Sequence, residues 1–178
     1  MPTSIRVCVS IFRKTRSVNM FNSEHESQET TFFDLGDNTA LVCVDHQQYQ
    51  KVIVPQLIDM TYKVHLGLFE EDVLLKLKTY SYNVVVVYEN FKGSNPQNNP
   101  ILRAIVKRPG AERRQHFLVL ISHQFPTNDA MSAFVQSVDL IVNIADLANF
   151  KPVLRRGVAQ YRELYNSFHE TLKAVQAI

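Results

Sequence analysis

The chain has 178 residues, of which 46% are hydrophobic and 20% charged, the proportions of an ordinary globular domain; they exclude wholesale disorder and favour one core over two. Nineteen Lys and Arg against 17 Asp and Glu leave a formal charge of +2, too small for the basic footprint of a dedicated nucleic-acid binder. With only 5 glycines and no GxGxxG or GxxxxGKS/T string, classical dinucleotide and P-loop chemistry are excluded. No apolar run approaches the roughly 20 residues of a membrane span. Arg6, Arg13, Lys14 and Arg16 break up the amino terminus where a secretory leader needs a continuous apolar stretch. Cys8 and Cys43 sit far apart in apolar surroundings, as buried reduced thiols do. A soluble cytoplasmic protein that needs no cofactor is expected.

Residues 1–38 read as an amino-terminal β arm. Ile5, Val7, Val9 and Ile11 alternate with Arg6, Cys8 and Ser10, the period of a half-buried strand, and an acidic polar loop from Asn19 to Thr31 leads into a short strand at 30–35. The basic residues at 13–16 face a solvated role or a pairing with the acids at 24–29. Residues 39–178 then alternate strand and helix. A continuous apolar strand at 40–44 ends in Asp45, and Tyr49, Ile53, Leu57 and Met60 follow at helical spacing, with Pro55 as a possible kink. The second strand spans 62–68. Its helix opens with Glu70, Glu71 and Asp72 and closes with Lys76 and Lys78, the polarity that complements a helix dipole, while Val73, Leu77 and Tyr80 form its apolar face.

Four consecutive valines occupy the third strand, 83–88, the pattern of a central parallel strand covered on both sides. An Asn/Pro/Gly loop runs to Pro100, before a helix carrying Ile101, Leu102, Ile105 and Val106. The fourth strand is 117–122. Met131, Phe134, Val135 and Val138 make the next helical face, and the fifth strand is 140–144. Repeated strand-then-helix units joined by right-handed crossovers predict a doubly wound α/β fold, an open five-stranded parallel sheet with helices on both faces. Chemistry in such folds gathers beyond the carboxyl ends of the strands. Those ends carry Asp45 and His46, Leu68, Tyr88 and Glu89, Ser122 and His123, and Asn143 to Asp146.

In that order the strand ends resemble a response-regulator receiver domain, the phosphorylatable module of two-component signalling, over about residues 39–168, and with that resemblance the five strands are expected in the order 2-1-3-4-5. Leu41-Val42-Cys43-Val44-Asp45-His46 is similar to the family's strand that ends in a magnesium-binding acidic pair, with His46 in place of the second acid. The valine strand resembles the one that ends in the phosphoryl-accepting aspartate, but Tyr88 stands at that position and Glu89 next to it. Leu118 to Ser122 resembles the fourth strand, where the resemblance gives Ser122 the hydroxyl that bonds the phosphoryl group. The fifth strand should end in Lys-Pro, and Asn143-Ile144 stands there instead. Acyl-phosphate chemistry needs a carboxylate nucleophile, a divalent ion held by acids and a fixed cation. The expectation is therefore a pseudo-receiver acting by protein contacts, not an enzyme and holding no metal. A one-residue slip of strand register would put Glu89 at the acceptor position, where its carboxylate would imitate a phosphorylated state.

The rival reading is a metal-dependent phosphohydrolase, or a phosphotransfer-competent receiver, using Asp45, His46, Glu89, Ser122 and His123; carboxylate and imidazole together suit a divalent ion. Arg103, Lys107, Arg108, Arg113 and Arg114 crowd one turn, read as a solvated helix end because no aromatic residue is interleaved for base stacking. His65 reads as a packed or edge histidine. In the last helix, Leu154, Val158, Tyr161, Tyr165, Phe168, Leu172 and Val175 recur at spacings of 4, 3, 4, 3, 4 and 3. The pattern, 152–175, outruns what a sheet face needs. Tyr161, Tyr165, Phe168, Leu172 and Val175 are the expected face for a partner protein or a homodimer.

Overall fold

The computed structural model describes residues 36–176. The strands are β1 (Asn38–Cys43), β2 (Tyr62–Leu66), β3 (Val84–Tyr88), β4 (Phe117–Ser122) and β5 (Leu140–Asn143). They form one parallel sheet, as the repeated strand and helix pattern predicts, in the order β2-β1-β3-β4-β5 expected with the receiver resemblance. The helices are α1 (Gln47–Ile58), α2 (Glu70–Thr79), α3 (Pro100–Val106), α4 (Gly110–Arg113), α5 (Ala130–Gln136) and α6 (Phe150–Gln176). No helix among the described residues is long and apolar enough to cross a membrane. The expected strands at 5–11 and 30–35, and the pairing of 13–16 with 24–29, lie outside the described residues.

The sheet separates two cores, and the period-2 alternation of its strands assigns every side chain to one of them. Ala40, Val42, Val44, Val84, Val86, Tyr88, Val119 and Ile121 pack with Ile53 and Leu57 of α1 and Phe150 and Leu154 of α6. Leu41, Cys43, Val85, Val87, Leu118, Leu120 and Ile141 pack on the opposite side with Val73 and Leu77 of α2, Ile101, Leu102 and Ile105 of α3, and Ala133 of α5. All residues of β3 are buried, which is why its valine run carries no polar alternation. Each such side chain contributes roughly 1.5–3 kcal/mol when fully buried. Cys43 is a free, buried thiol, and burial pushes its pKa far above the ordinary value.

Three local readings change. β5 stops at Asn143, because Asn143 accepts the Ala145 amide at 2.9 Å and starts a 3-10 segment at Ile144. α6 starts at Phe150, two residues ahead of Pro152, which is tolerated in the first turn where no helical amide bond is lost. The third change concerns α5. Of the apolar face read from sequence, Met131, Phe134 and Val135 are 72%, 82% and 68% exposed, and the inward contacts are Ala133 and Val138. Seven residues make two turns, so a small residue can approach the sheet while the large apolar ones point outward.

Candidate functional site at the carboxyl edge of the sheet

Parallel pairing brings the ends of β1, β3, β4 and β5 to one edge, and alternation decides which residues meet there. Tyr88 continues the Val84 and Val86 side, toward α1 and α6. Glu89 follows Val85 and Val87 to the other side, the side of Leu118, Leu120 and therefore Ser122. The register is unslipped: Tyr88 pairs with Ile121, and the Glu89 amide donates to the Ile121 carbonyl at 3.0 Å. The Glu89 carboxylate nevertheless meets the Ser122 hydroxyl, so the register slip considered from sequence is not needed.

Glu89 is fully buried. One carboxylate oxygen, Oε2, accepts the Ser122 hydroxyl; the other, Oε1, accepts the His123 amide at 2.6 Å. Ser122 Oγ in turn accepts the amides of Gln124 at 2.9 Å and Phe125 at 3.2 Å. From β5, the Asn143 side chain donates to the carbonyls of Phe125 at 2.9 Å and His123 at 3.4 Å. Thr127 Oγ1 accepts the Asn143 amide at 2.9 Å and donates to Asp146 at 2.5 Å. The turn after β4 is thus held from both neighbouring strands.

On the α1 side, the Tyr88 hydroxyl lies 2.7 Å from His123 Nε2. Burial, the largest cause, raises the phenol's pKa above 10, so the phenol keeps its proton. His46 stacks on Tyr49 with ring centroids 4.3 Å apart, and Tyr49 meets Tyr88 edge-on at 5.6 Å. Asp45 turns away from this ring cluster to accept the Lys92 amide at 2.9 Å. Lys92 has φ 54°, a left-handed conformation uncommon outside glycine, and its ammonium lies 4.8 Å from the Phe69 ring centroid.

Asp45, His46, Glu89, Ser122 and His123 therefore share an edge without converging on one point. Among the described residues no three His, Cys, Asp or Glu side chains are grouped so as to hold a metal ion. Asn99 is the residue that sequence reasoning missed. Fully buried, it donates to the carbonyls of Tyr88 at 3.0 Å and Glu89 at 3.3 Å while its Oδ1 accepts the Ile101 and Leu102 amides. The available signal was Asn followed by Pro before an apolar helix, an N-cap with Pro at the first helical position.

In the basic cluster Arg103, Lys107 and Arg114 are exposed, while Arg108 and Arg113 are engaged by carbonyls. Arg108 donates to the Leu77 carbonyl at 3.0 Å, closing α2; Arg113 donates to the Ser137 carbonyl at 2.9 Å and pairs with Asp139 at 3.3 Å. Arg103 donates to Asn98 at 3.2 Å. His65 is a packed edge histidine, as read from sequence, with Nδ1 2.8 Å from the Tyr82 hydroxyl.

A groove of about 560 Å³ runs between α5, β5 and α6, its walls combining Phe134, Leu140, Tyr161 and Leu164 with Asp129 and Arg156. Within the expected partner face, Tyr161 turns inward: its ring meets Phe117 edge-on at 5.3 Å and its hydroxyl donates to the Arg114 carbonyl at 2.5 Å. Tyr165 is half-buried beside it, and Val175 is exposed. The side chains of Phe168 and Leu172 lie outside the described residues.

A parallel sheet of order 2-1-3-4-5, wrapped by helices on both faces with its polar residues at the carboxyl edge, defines the flavodoxin-like fold of receiver domains. Solved receiver structures are similar to it. The receiver domain of a Pseudomonas aeruginosa sensor histidine kinase, which holds magnesium in its active-site cleft, is 14% identical with a TM-score of 0.54, over 69% of this chain and 98% of that one. A Francisella response-regulator receiver domain is 11% identical with a TM-score of 0.55, over 70% and 98%. A CheY-like receiver domain protein from Methanospirillum hungatei is 10% identical with a TM-score of 0.54, over 71% and 97%. The likeness is one of fold. Neither a family model nor a curated protein sequence matches the chain.

Proposed function

We propose that this chain is a pseudo-receiver, a cytoplasmic signalling module that works by protein contacts and takes up no phosphoryl group. The observation that carries the reading is the state of the two candidate acceptors. The Tyr88 phenol is only 8% exposed, keeps its proton and is engaged by His123. The Glu89 carboxylate is fully buried with each oxygen already accepting a hydrogen bond. An attacking oxygen must be free and accessible to a phosphoryl donor, and neither is. Asp45, the acid just past β1, accepts a backbone amide and has His46 rather than a second carboxylate beside it in sequence.

The same reading assigns the output to a protein partner, with a second copy of the chain as the first candidate. Its support is the length of α6: 27 residues rise about 40 Å, twice the span of a six-residue strand. Leu164, on the wall of the groove, is 75% exposed and continues the apolar surface of Phe134. Closed twofold pairing is the commonest way to cover such a surface.

The experiment is a thermal-unfolding series with magnesium alone and with magnesium plus beryllofluoride. A receiver that binds these ligands is stabilised by mass action. The midpoint is expected to stay unchanged in both; an upward shift that grows with beryllofluoride concentration would contradict the reading.

A further inference from the structure

We propose that Glu89 is a positioning residue whose buried carboxylate permanently latches the turn after β4, and through it holds α5 in a single arrangement. The inference rests on the reading of the module as unphosphorylated and names the group that does the holding.

Four consecutive residues are organised about this one carboxylate. Ser122 and His123 donate to it directly, and Gln124 and Phe125 donate to the Ser122 oxygen that it orients. Asn143 closes the other side through the carbonyls of His123 and Phe125. The chain then reaches Asp129, whose side chain caps α5 by accepting the Met131 and Ser132 amides, both at 3.1 Å. Within α5 only Ala133 is buried, so sheet packing gives this helix little to settle its position. Arg113 holds the helix's carboxyl end through the Ser137 carbonyl, and the turn in front of it constrains its amino-terminal end. Beyond the turn stand Met131, Phe134 and Val135, the large exposed apolar residues of the helix. The latch thus connects the strand-end site to the apolar face of α5 by hydrogen bonds and a short stretch of chain.

The chemistry requires a carboxylate. The His123 amide can only donate, and Ser122 Oγ already accepts two amides, so its proton must go to an acceptor. Glutamate offers an acceptor to both donors. Glutamine of the same shape offers one, and turns an NH2 group toward the other donor. A buried donor facing a donor loses the bond and keeps the desolvation cost.

Amide hydrogen exchange on the full chain tests this. E89Q and S122A should each speed exchange of residues 123–136 by roughly tenfold or more, while β1 and β3 keep wild-type rates, because the opening is local. S122T, which retains the hydroxyl, should match the wild type. Wild-type rates at 123–136 in E89Q, an equal acceleration in β1 and β3, or an S122T that behaves like S122A would each overturn the proposal. If E89Q does not fold, the comparison of S122A with S122T decides it. No phosphoryl donor enters this experiment. Phosphorylation of the chain would therefore overturn the preceding reading without altering the exchange result, and a failed latch would leave that reading standing.

Discussion

Tyr88 and His123 join the ends of β3 and β4 on the α1 side of the sheet, hydroxyl to Nε2 across 2.7 Å, with Tyr49 edge-on to both rings. Tyr88→Phe keeps the ring and removes the hydroxyl that makes this bond. It should lower stability by about 1 kcal/mol, the net worth of one typical hydrogen bond. Urea unfolding of the variant against wild type measures it. An unchanged midpoint would show that the bond contributes nothing to the join.

Asn99 carries more. Asn99→Ala removes the cap of α3 and leaves the carbonyls of Tyr88 and Glu89 short of a donor. Cap loss costs roughly 0.5–2 kcal/mol and an unmet buried group roughly 1–3 kcal/mol, so a loss of about 3 kcal/mol is expected. Asn99→Asp keeps the cap acceptor but turns an acceptor toward two carbonyls, and should also be destabilised. Denaturant midpoints compare the two.

His116 makes stability depend on pH. It is buried, with Nδ1 2.6 Å from the Tyr82 carbonyl; burial, the largest effect, lowers its pKa below 6.5, and Arg108 and Arg113 add to the lowering against that hydrogen bond. As pH falls below 6.5 the unfolded chain takes up the proton first, so the stabilisation is complete above that value and is lost on acidification. Asp139 has the opposite sign: burial raises its pKa above 3.8, so its contribution declines as pH rises through its folded value. Subtracting His116→Asn from wild type isolates the histidine. The stability difference should shrink between about pH 7.5 and pH 5.5; a constant difference would contradict the assignment.

The α5 and α6 face predicts an oligomeric state. Phe134→Glu with Leu164→Glu places charges on residues 82% and 75% exposed, so the fold should stay intact, with a change within about 0.5 kcal/mol. Sedimentation should show a dimer for the wild type and a monomer for the double variant. A wild type that is monomeric at tens of micromolar would remove the second copy as the partner.

The alternation of strand and helix, the central valine strand and the gathering of polar residues at one edge were legible because period-2 and helical patterns are properties of neighbours in sequence. So was the receiver-like fold, from the residues that end each strand. The link between Glu89 and Ser122 was also within reach: both lie an even number of residues from side chains of one core, Val87 and Leu120, and counting alternation puts them on one side. Tying that contact to a slipped register concealed it. The direction of Met131, Phe134 and Val135 was not legible because apolar residues at helical spacing mark a face without saying what it faces. The basic turn is exposed at Arg103, Lys107 and Arg114, as read, but not at Arg108 and Arg113, because a sequence does not show which carbonyls end beside them.

The most direct test of the account is the intact mass of the full chain after incubation with acetyl phosphate and magnesium. The account predicts an unchanged mass, because the Tyr88 phenol is engaged by His123 and the Glu89 carboxylate is buried between Ser122 and His123. A gain of one phosphoryl group, lost on substitution of Glu89 or Asp45, would contradict it.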